Sequence, residues 1–350
     1  MSSARNPSAS APLYQQIRQQ VIGTIRDTLY SLRHPQRILV VRQPDHQATY
    51  NNYYLYWISQ NVPEARPLFE THYLPCEISD WSRYALFLPW LQDPLQQRFP
   101  DVYKLAKPLE AQCQQHGVPV MNPIDNLSNS IKSIAAEKIR SVGIRTAKTI
   151  RITDPEAFKR DLAGLTVPFF IREDCVHGSS TFFVKTLDDV KNIPFENYQA
   201  PIAVEFIDTR SPDGLYRKFR YFAMGDEGVP GPLMISNSWE VRDNNHRVIN
   251  DAIIAEEIAY FSGSDPNHDM LQKARKALGF DFMAFDYSYD ANGEMIVWEP
   301  NPFPVIWGAH DEVPEKRYQL PSMDRIYTAL LNYHLQRANI TVAMPTQVSL

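Results

Sequence analysis

The sequence predicts an open α/β region followed by an α+β region, on three observations. Short apolar runs alternate with helical patterns over about 35–125, which suits a small open α/β domain. From residue 128 the texture changes to many short strands, mostly at hairpin spacing, with helices to cover one side. The last two of these strands, FMAFDYSYD and EMIVWEPN, are joined by DANG, a turn of the kind that closes a hairpin.

The elements follow in order. Residues 1–12, MSSARNPSASAP, are polar, lack the apolar core of a secretory signal and read as a disordered tail. Over 13–33, Leu13, Ile17, Val21, Ile25 and Leu29 recur in steps of four, predicting an amphipathic helix. RILVVRQP reads as a buried strand ended by Pro44, and NNYYLYWISQNVP as a helix. Its tyrosines are read as a packed face rather than a base-stacking platform, because Arg and Lys are absent between Arg42 and Arg66. ALFLPWLQDP is a second strand, VYKLAKPLEAQCQQHG a helix stopped at Gly117, and VPVMNP a short strand.

Further on, SNSIKSIAAEKIRSVGI predicts a helix with Ser128 or Ser130 as N-cap, an apolar face of Ile131, Ile134, Ala135 and Ile139, and an end at Gly143. TAKTIRI, PFFIRED and TFFVKT read as strands, with DPEAFKRDLAG as a helix between the first two. PIAVEFI, YRKFRYFAMG and PLMISNSWEV are further strands, and the helix HDMLQKARKALG precedes the final hairpin.

Composition excludes several function classes. The 350 residues carry 35 Lys plus Arg against 40 Asp plus Glu, a net charge of −5, which argues against a large nucleic-acid-binding surface. No run approaches the ~18 to 20 apolar residues of a membrane span. Cys76, Cys113 and Cys175 form no CxxC, so neither a disulfide scaffold nor a structural zinc site is expected, and a reducing cytoplasm fits. Cys175 precedes His177 by two residues without an orienting partner, which argues against a thiol nucleophile.

Three places carry chemistry. In the last hairpin, Glu299 and Asn301 are two apart and leave one face of a strand, with Asp286 on the partner strand. Three hard oxygen donors in reach of one point suit Mg²⁺. Second, His177-Gly178-Ser179-Ser180-Thr181 sits between two apolar strands and offers backbone N–H groups and hydroxyls to a phosphate, with Arg172 and Lys185 nearby. Third, Lys132 lies near a helix start, where a cation opposes the helix dipole and is tolerable if it reaches an anion.

The order of these pieces resembles the ATP-grasp superfamily, which includes D-alanine–D-alanine ligase, glutathione synthetase and the ribosomal-protein glutamate ligases. The resemblance covers about 125–305 and rests on SIKSIAAEKIRSVGIRTAKT, IREDCVHGSSTFFV, AVEFID, KFRYFAMGD and GFDFMAFDYSYDANGEMIVWEPNPFP. It implies an ATP-grasp fold with an N-terminal open α/β domain. The implied divisions are a tail over 1–12, the α/β domain over 13–125, a small subdomain over 126–200 with a phosphate lid, and a large subdomain over 201–345 with the metal site.

Residue by residue, the resemblance implies that Lys132 touches the nucleotide phosphates and that Gly178, Ser179 and Ser180 cover them. Glu205, Phe206 and Ile207 would form the strand that reads adenine, with Asp208 or Asp213 near the ribose. Arg172 would stand where the family usually has lysine, and Arg220 would face the γ-phosphate or acyl phosphate. Asp286, Glu299 and Asn301 would hold Mg²⁺ or Mn²⁺. The position two before Arg220, often acidic in the family, is Lys218. The implied activity is ATP-dependent ligation of a small-molecule or peptide carboxylate to an amine or related nucleophile through an acyl phosphate, releasing ADP and phosphate. The alternatives are a kinase of the same fold, or a nucleotide-binding protein without catalysis. A homodimer is compatible with the resemblance. Trp307, His310, Asp311 and Glu312 follow the metal motif as candidates for an acceptor pocket.

Overall fold

The computed structural model describes residues 36–43, 49–91, 95–175, 181–241, 247–306 and 314–344. The expected tail, the helix over 13–33, Gly178, Ser179 and Ser180, and the segment containing Trp307, His310, Asp311 and Glu312 lie outside the described residues.

Strand β1 (Arg37–Arg42) is buried along its whole length, as its unbroken Ile-Leu-Val-Val run requires. It is followed by α1 (Thr49–Asn61), β2 (Phe69–Tyr73), β3 (Tyr84–Trp90) and α2 (Pro100–Gln115). The three strands form a parallel sheet in the order β2-β1-β3. The sequence FETHY of β2 does not read as a strand, because an edge strand with a half-buried polar face lacks the apolar pattern. VPVMNP contributes only an isolated bridge from Val120 to Phe87. Pro119 and Pro123 on either side of it have no N–H to donate to a ladder. Tyr54 of α1 is fully buried and stacks on Tyr327, so this tyrosine is core.

Next come α3 (Lys132–Ser141), β4 (Arg145–Thr146), β5 (Thr149–Arg151), α4 (Pro155–Asp161), β6 (Phe169–Glu173), β7 (Thr181–Val184) and β8 (Pro201–Glu205). An antiparallel sheet, β5-β8-β6-β7, encloses its own small core of Phe158, Phe169, Ile171, Val184 and Ala203. A boundary placed at 200/201 would cut this sheet, since β8 pairs with both β5 and β6. The N-cap of α3 differs from expectation. Ile131 holds that position and brings no side-chain acceptor, while Ser130 donates its hydroxyl to Leu127 O within the preceding turn.

The remaining elements are β9 (Tyr216–Met224), β10 (Glu227–Pro230), β11 (Met234–Ser236), α5 (Asp251–Ser262), α6 (His268–Leu278), β12 (Phe282–Tyr289), β13 (Met295–Asn301) and α7 (Leu320–Arg337). A larger sheet runs β10-β9-β12-β13-β4, with β11 also on β9. Its core is continuous with that of the N-terminal sheet. The helices α5 and α7 stand where the sequence reading expected none. The DANG turn closes as expected: Asp290 Oδ1 accepts the N–H groups of Asn292 and Glu294, each at 2.9 Å, and Gly293 takes φ +75°. No described helix is long and apolar enough to cross a membrane.

Candidate active site

The candidate site begins with a register shift. Along β12 and β13, Tyr287 faces Val297, but Asp286 faces Glu299 and Ala284 faces Asn301. Trp298 is therefore the extra residue of a β-bulge. In the register of Tyr287 and Val297, Asp286 would sit opposite Trp298 and Glu299 would leave the other face. The bulge brings Asp286, Glu299 and Asn301 to one face, while the Trp298 indole N–H donates to Ser288 Oγ at 2.8 Å.

Cations from two other elements meet the two carboxylates. Arg220 lies opposite Asp286 in the β9–β12 ladder and donates from Nε and Nη2 to its two oxygens at 2.7 and 2.9 Å. Lys218 Nζ is 3.3 Å from Asp286 Oδ2. Burial alone would raise the Asp286 pKa, but Arg220 and Lys218 outweigh it and hold the carboxyl below its usual range. At Glu299, burial is likewise outweighed, by Lys132, Arg172 and Lys218, so that carboxyl is held well below its usual range. Lys132 Nζ donates to Glu299 Oε2 at 2.7 Å.

Lys132 is the first residue of α3, and a remote residue fixes that helix start. Asp174, just beyond β6, accepts from Ser133 N at 2.9 Å and from Ser133 Oγ at 2.5 Å. Arg151 adds a hydrogen bond from Nε to Ser133 Oγ at 2.7 Å. Glu173 is committed to the backbone N–H groups of Gln199 and Ala200. Both acidic neighbours of Arg172 are thus engaged elsewhere, and among the described residues Arg172 makes no hydrogen bond or ion pair.

These groups line a cavity of about 370 Å³ between the small and large sheets. Lys132, Arg172, Lys218, Asp286 and Glu299 form its charged part. Its apolar part includes Phe170, Phe206 and Trp239, with ring centroids 4.8 Å apart for Phe170 and Trp239 and 5.6 Å for Phe170 and Phe206. The volume falls in the range of small-molecule sites.

Of the described residues that the resemblance placed at the nucleotide or the metal, Lys132, Arg172, Phe206, Ile207, Asp286 and Glu299 line the cavity. Five others do not. Arg220 is bonded to Asp286 instead. Glu205 Oε2 accepts from Lys148 N, and Asp208 Oδ1 from Arg210 N. Asp213 pairs with Arg217, whose hydrogen bonds push its carboxyl down to about 2. Asn301 Oδ1 accepts from Phe303 N at 3.0 Å. Sequence reasoning missed Trp239, which follows the short strand β11 and has no local signal for reaching the opposite sheet. It noted Lys218 only as a departure from a pattern.

The donor set fits a hard divalent cation. Asp286 and Glu299 are ionised and face each other as two hard oxygen donors, while Asn301 follows on the same face with its Oδ1 turned to Phe303 N.

No protein-family model matches the sequence, and no curated protein matches it. Solved structures do match. One is the ATP-grasp ligase PsnB complexed with a minimal precursor, at 14% identity, covering 85% of this chain and 98% of that one, with a TM-score of 0.54. Another is VanG D-Ala:D-Ser ligase from Enterococcus faecalis, at 16% identity, covering 87% and 99%, with a TM-score of 0.53. A third is D-alanine–D-alanine ligase from Bacillus anthracis, at 12% identity, covering 87% and 99%, with a TM-score of 0.52. The alignments span nearly the whole of each neighbour, an ATP-grasp ligase among them, and lead to one conclusion: this chain has the ATP-grasp fold.

Proposed function

We propose that the protein is an ATP-dependent carboxylate–amine ligase. The observation that carries this reading is the cavity between the two sheets. There, cations from three elements (Lys132, Arg172 and Lys218) face a cross-strand pair of ionised carboxylates, beside an aromatic wall able to take a base. The solved structures of this fold cited above are ligases, which supports ligation over simple phosphorylation.

In the proposed reaction, an oxygen of the substrate carboxylate attacks the γ-phosphorus of ATP. The bond from the γ-phosphorus to the bridging oxygen breaks, and ADP leaves with the electron pair. The amine nitrogen then attacks the carbonyl carbon of the acyl phosphate, phosphate leaves, and the nitrogen loses a proton. Lys132 and Arg172 hold phosphate oxygens, and Phe206 and Ile207 flank the base. Asp286, Glu299 and Asn301 would hold Mg²⁺, which supplies charge neutralisation on the phosphate chain. The PsnB structure contains a minimal precursor, and peptides are included among the substrates to be tried.

The test is an ADP-release screen against pooled carboxylic acids, amines and peptides, with mass spectrometry of the products. ADP release that needs both pools, with an adduct lighter by one water than its two parts, supports ligation. A phosphorylated product formed without the amine pool would replace it with a kinase.

A further inference from the structure

We infer that Lys218, rather than Arg220, is the β9 cation that meets the phosphate chain of the nucleotide, and that Arg220 is a positioning residue for Asp286. This rests on the nucleotide reading above and deepens it.

Residues 218 and 220 are two apart on β9 and share a face, so both point toward Asp286. Their engagement differs. Arg220 places two guanidinium nitrogens on the two carboxylate oxygens of Asp286 at 2.7 and 2.9 Å, a planar fork that meets a carboxylate side chain only 4% exposed. Its backbone is pinned as well, because Arg220 O accepts from Tyr260 Oη at 3.0 Å and from Gly231 N at 2.7 Å. Arg220 does not line the cavity. Lys218 does, together with Lys132 and Arg172.

Among the described residues, the one ion pair of Lys218 is the 3.3 Å approach to Asp286 Oδ2. An ammonium has three donors on a flexible stem, so this contact leaves it able to serve a second anion. Arg220, turned away from Asp286, would strand a buried carboxylate, which is costly. Lys218 can turn toward the cavity while Asp286 keeps its fork. Three cations from three elements then surround one space, an arrangement suited to a chain of phosphates.

The test is isothermal titration of the full chain with ATP, inorganic tripolyphosphate and adenosine. Lys218→Gln should weaken ATP and tripolyphosphate by about tenfold and leave adenosine unchanged. Lys218→Arg should stay within about threefold of the parent, since it keeps the charge. Arg220→Gln should lower the thermal midpoint and weaken tripolyphosphate less than Lys218→Gln does. Lys218→Met takes the place of the glutamine variant if that fails to fold. Unchanged tripolyphosphate affinity on loss of Lys218, an equal loss for adenosine, or a larger loss in Arg220→Gln would each overturn the assignment while leaving the ligase reading standing. A parent chain that binds neither ATP nor tripolyphosphate would overturn both.

Discussion

Asp286 and Glu299 face each other across the β12–β13 ladder, yet each is neutralised by a different part of the chain: Asp286 by Arg220 of β9, Glu299 by Lys132 of α3. Two like charges side by side on a sheet are unfavourable unless each has its own partner. The pair is therefore held ready by the elements around it.

Replacing either carboxylate should separate chemistry from stability. Asp286→Asn and Glu299→Gln should each reduce ADP release by about a hundredfold or more. Asp286→Asn should also cost about 3 kcal/mol of stability, because the two-pronged ion pair between Arg220 and the buried carboxylate is lost. Adding Arg220→Gln in the same chain should recover part of that stability and none of the turnover. Urea unfolding alongside the ADP assay reads both quantities. Full activity in either single variant would remove the carboxylates from the mechanism.

Arg172 should act through its charge. It lines the cavity, helps hold the Glu299 carboxyl ionised, and has neither Glu173 nor Asp174 as a partner. Arg172→Ala should weaken ATP binding about tenfold, and Arg172→Lys should restore most of it. Calorimetry on both variants decides the matter. Parent-like affinity in the alanine variant would mean that the phosphates lie elsewhere in the cavity.

The sequence made part of this site visible and hid the rest for identifiable reasons. Glu299 and Asn301 are two apart, and a period of two is enough to place them on one face. The convergence of Asp286 with Glu299 was expected from the hairpin, but its means was not readable: it depends on the bulge at Trp298, and nothing in VWEPN announces where a strand gains a residue. Asp174 as the cap of α3 was hidden by distance, with 41 residues separating it from Ser133. Local reasoning put the cap at Ser128 or Ser130. Arg220 was read as facing phosphate because its strand was recognisable, whereas its cross-strand partner is a property of the ladder.

His334 should make the fold sensitive to mild acid. It is 1% exposed, its Nδ1 is 2.8 Å from Tyr54 Oη, and burial pushes its pKa down to about 3 from an ordinary 6.5. The folded chain keeps this imidazole neutral, while the unfolded chain takes up a proton below about pH 6.5. Its contribution to stability is therefore full above that value and declines as pH falls toward 3, with a limiting slope of about 1.4 kcal/mol per pH unit. Urea unfolding at pH 7, 6 and 5 should show this loss in the parent and a flatter dependence in His334→Gln. Parallel profiles for the two chains would show that His334 does not set it.

Asp174 should matter to ATP through Lys132 without touching ATP itself. Its two oxygens take the backbone N–H and the hydroxyl of Ser133, the residue after Lys132, and Arg151 braces the same hydroxyl. Asp174 also stands two residues after Arg172, so one loop edge links two of the cavity cations. A cap alone contributes about 1 kcal/mol, and its loss would lower stability and nothing else. A residue that also orients Lys132 should in addition raise the KM for ATP when it is removed, with kcat much less affected. Asp174→Ala is expected to raise that KM severalfold. Asp174→Asn keeps an acceptor for Ser133 N and should recover most of the loss, and Ser133→Ala, which keeps the backbone bond, should lie between them. Steady-state ATP titrations beside thermal unfolding of the three variants separate the two roles. If Asp174→Ala lowers the thermal midpoint and leaves the KM for ATP at the parent value, Asp174 is a helix cap, and the placing of Lys132 does not depend on it.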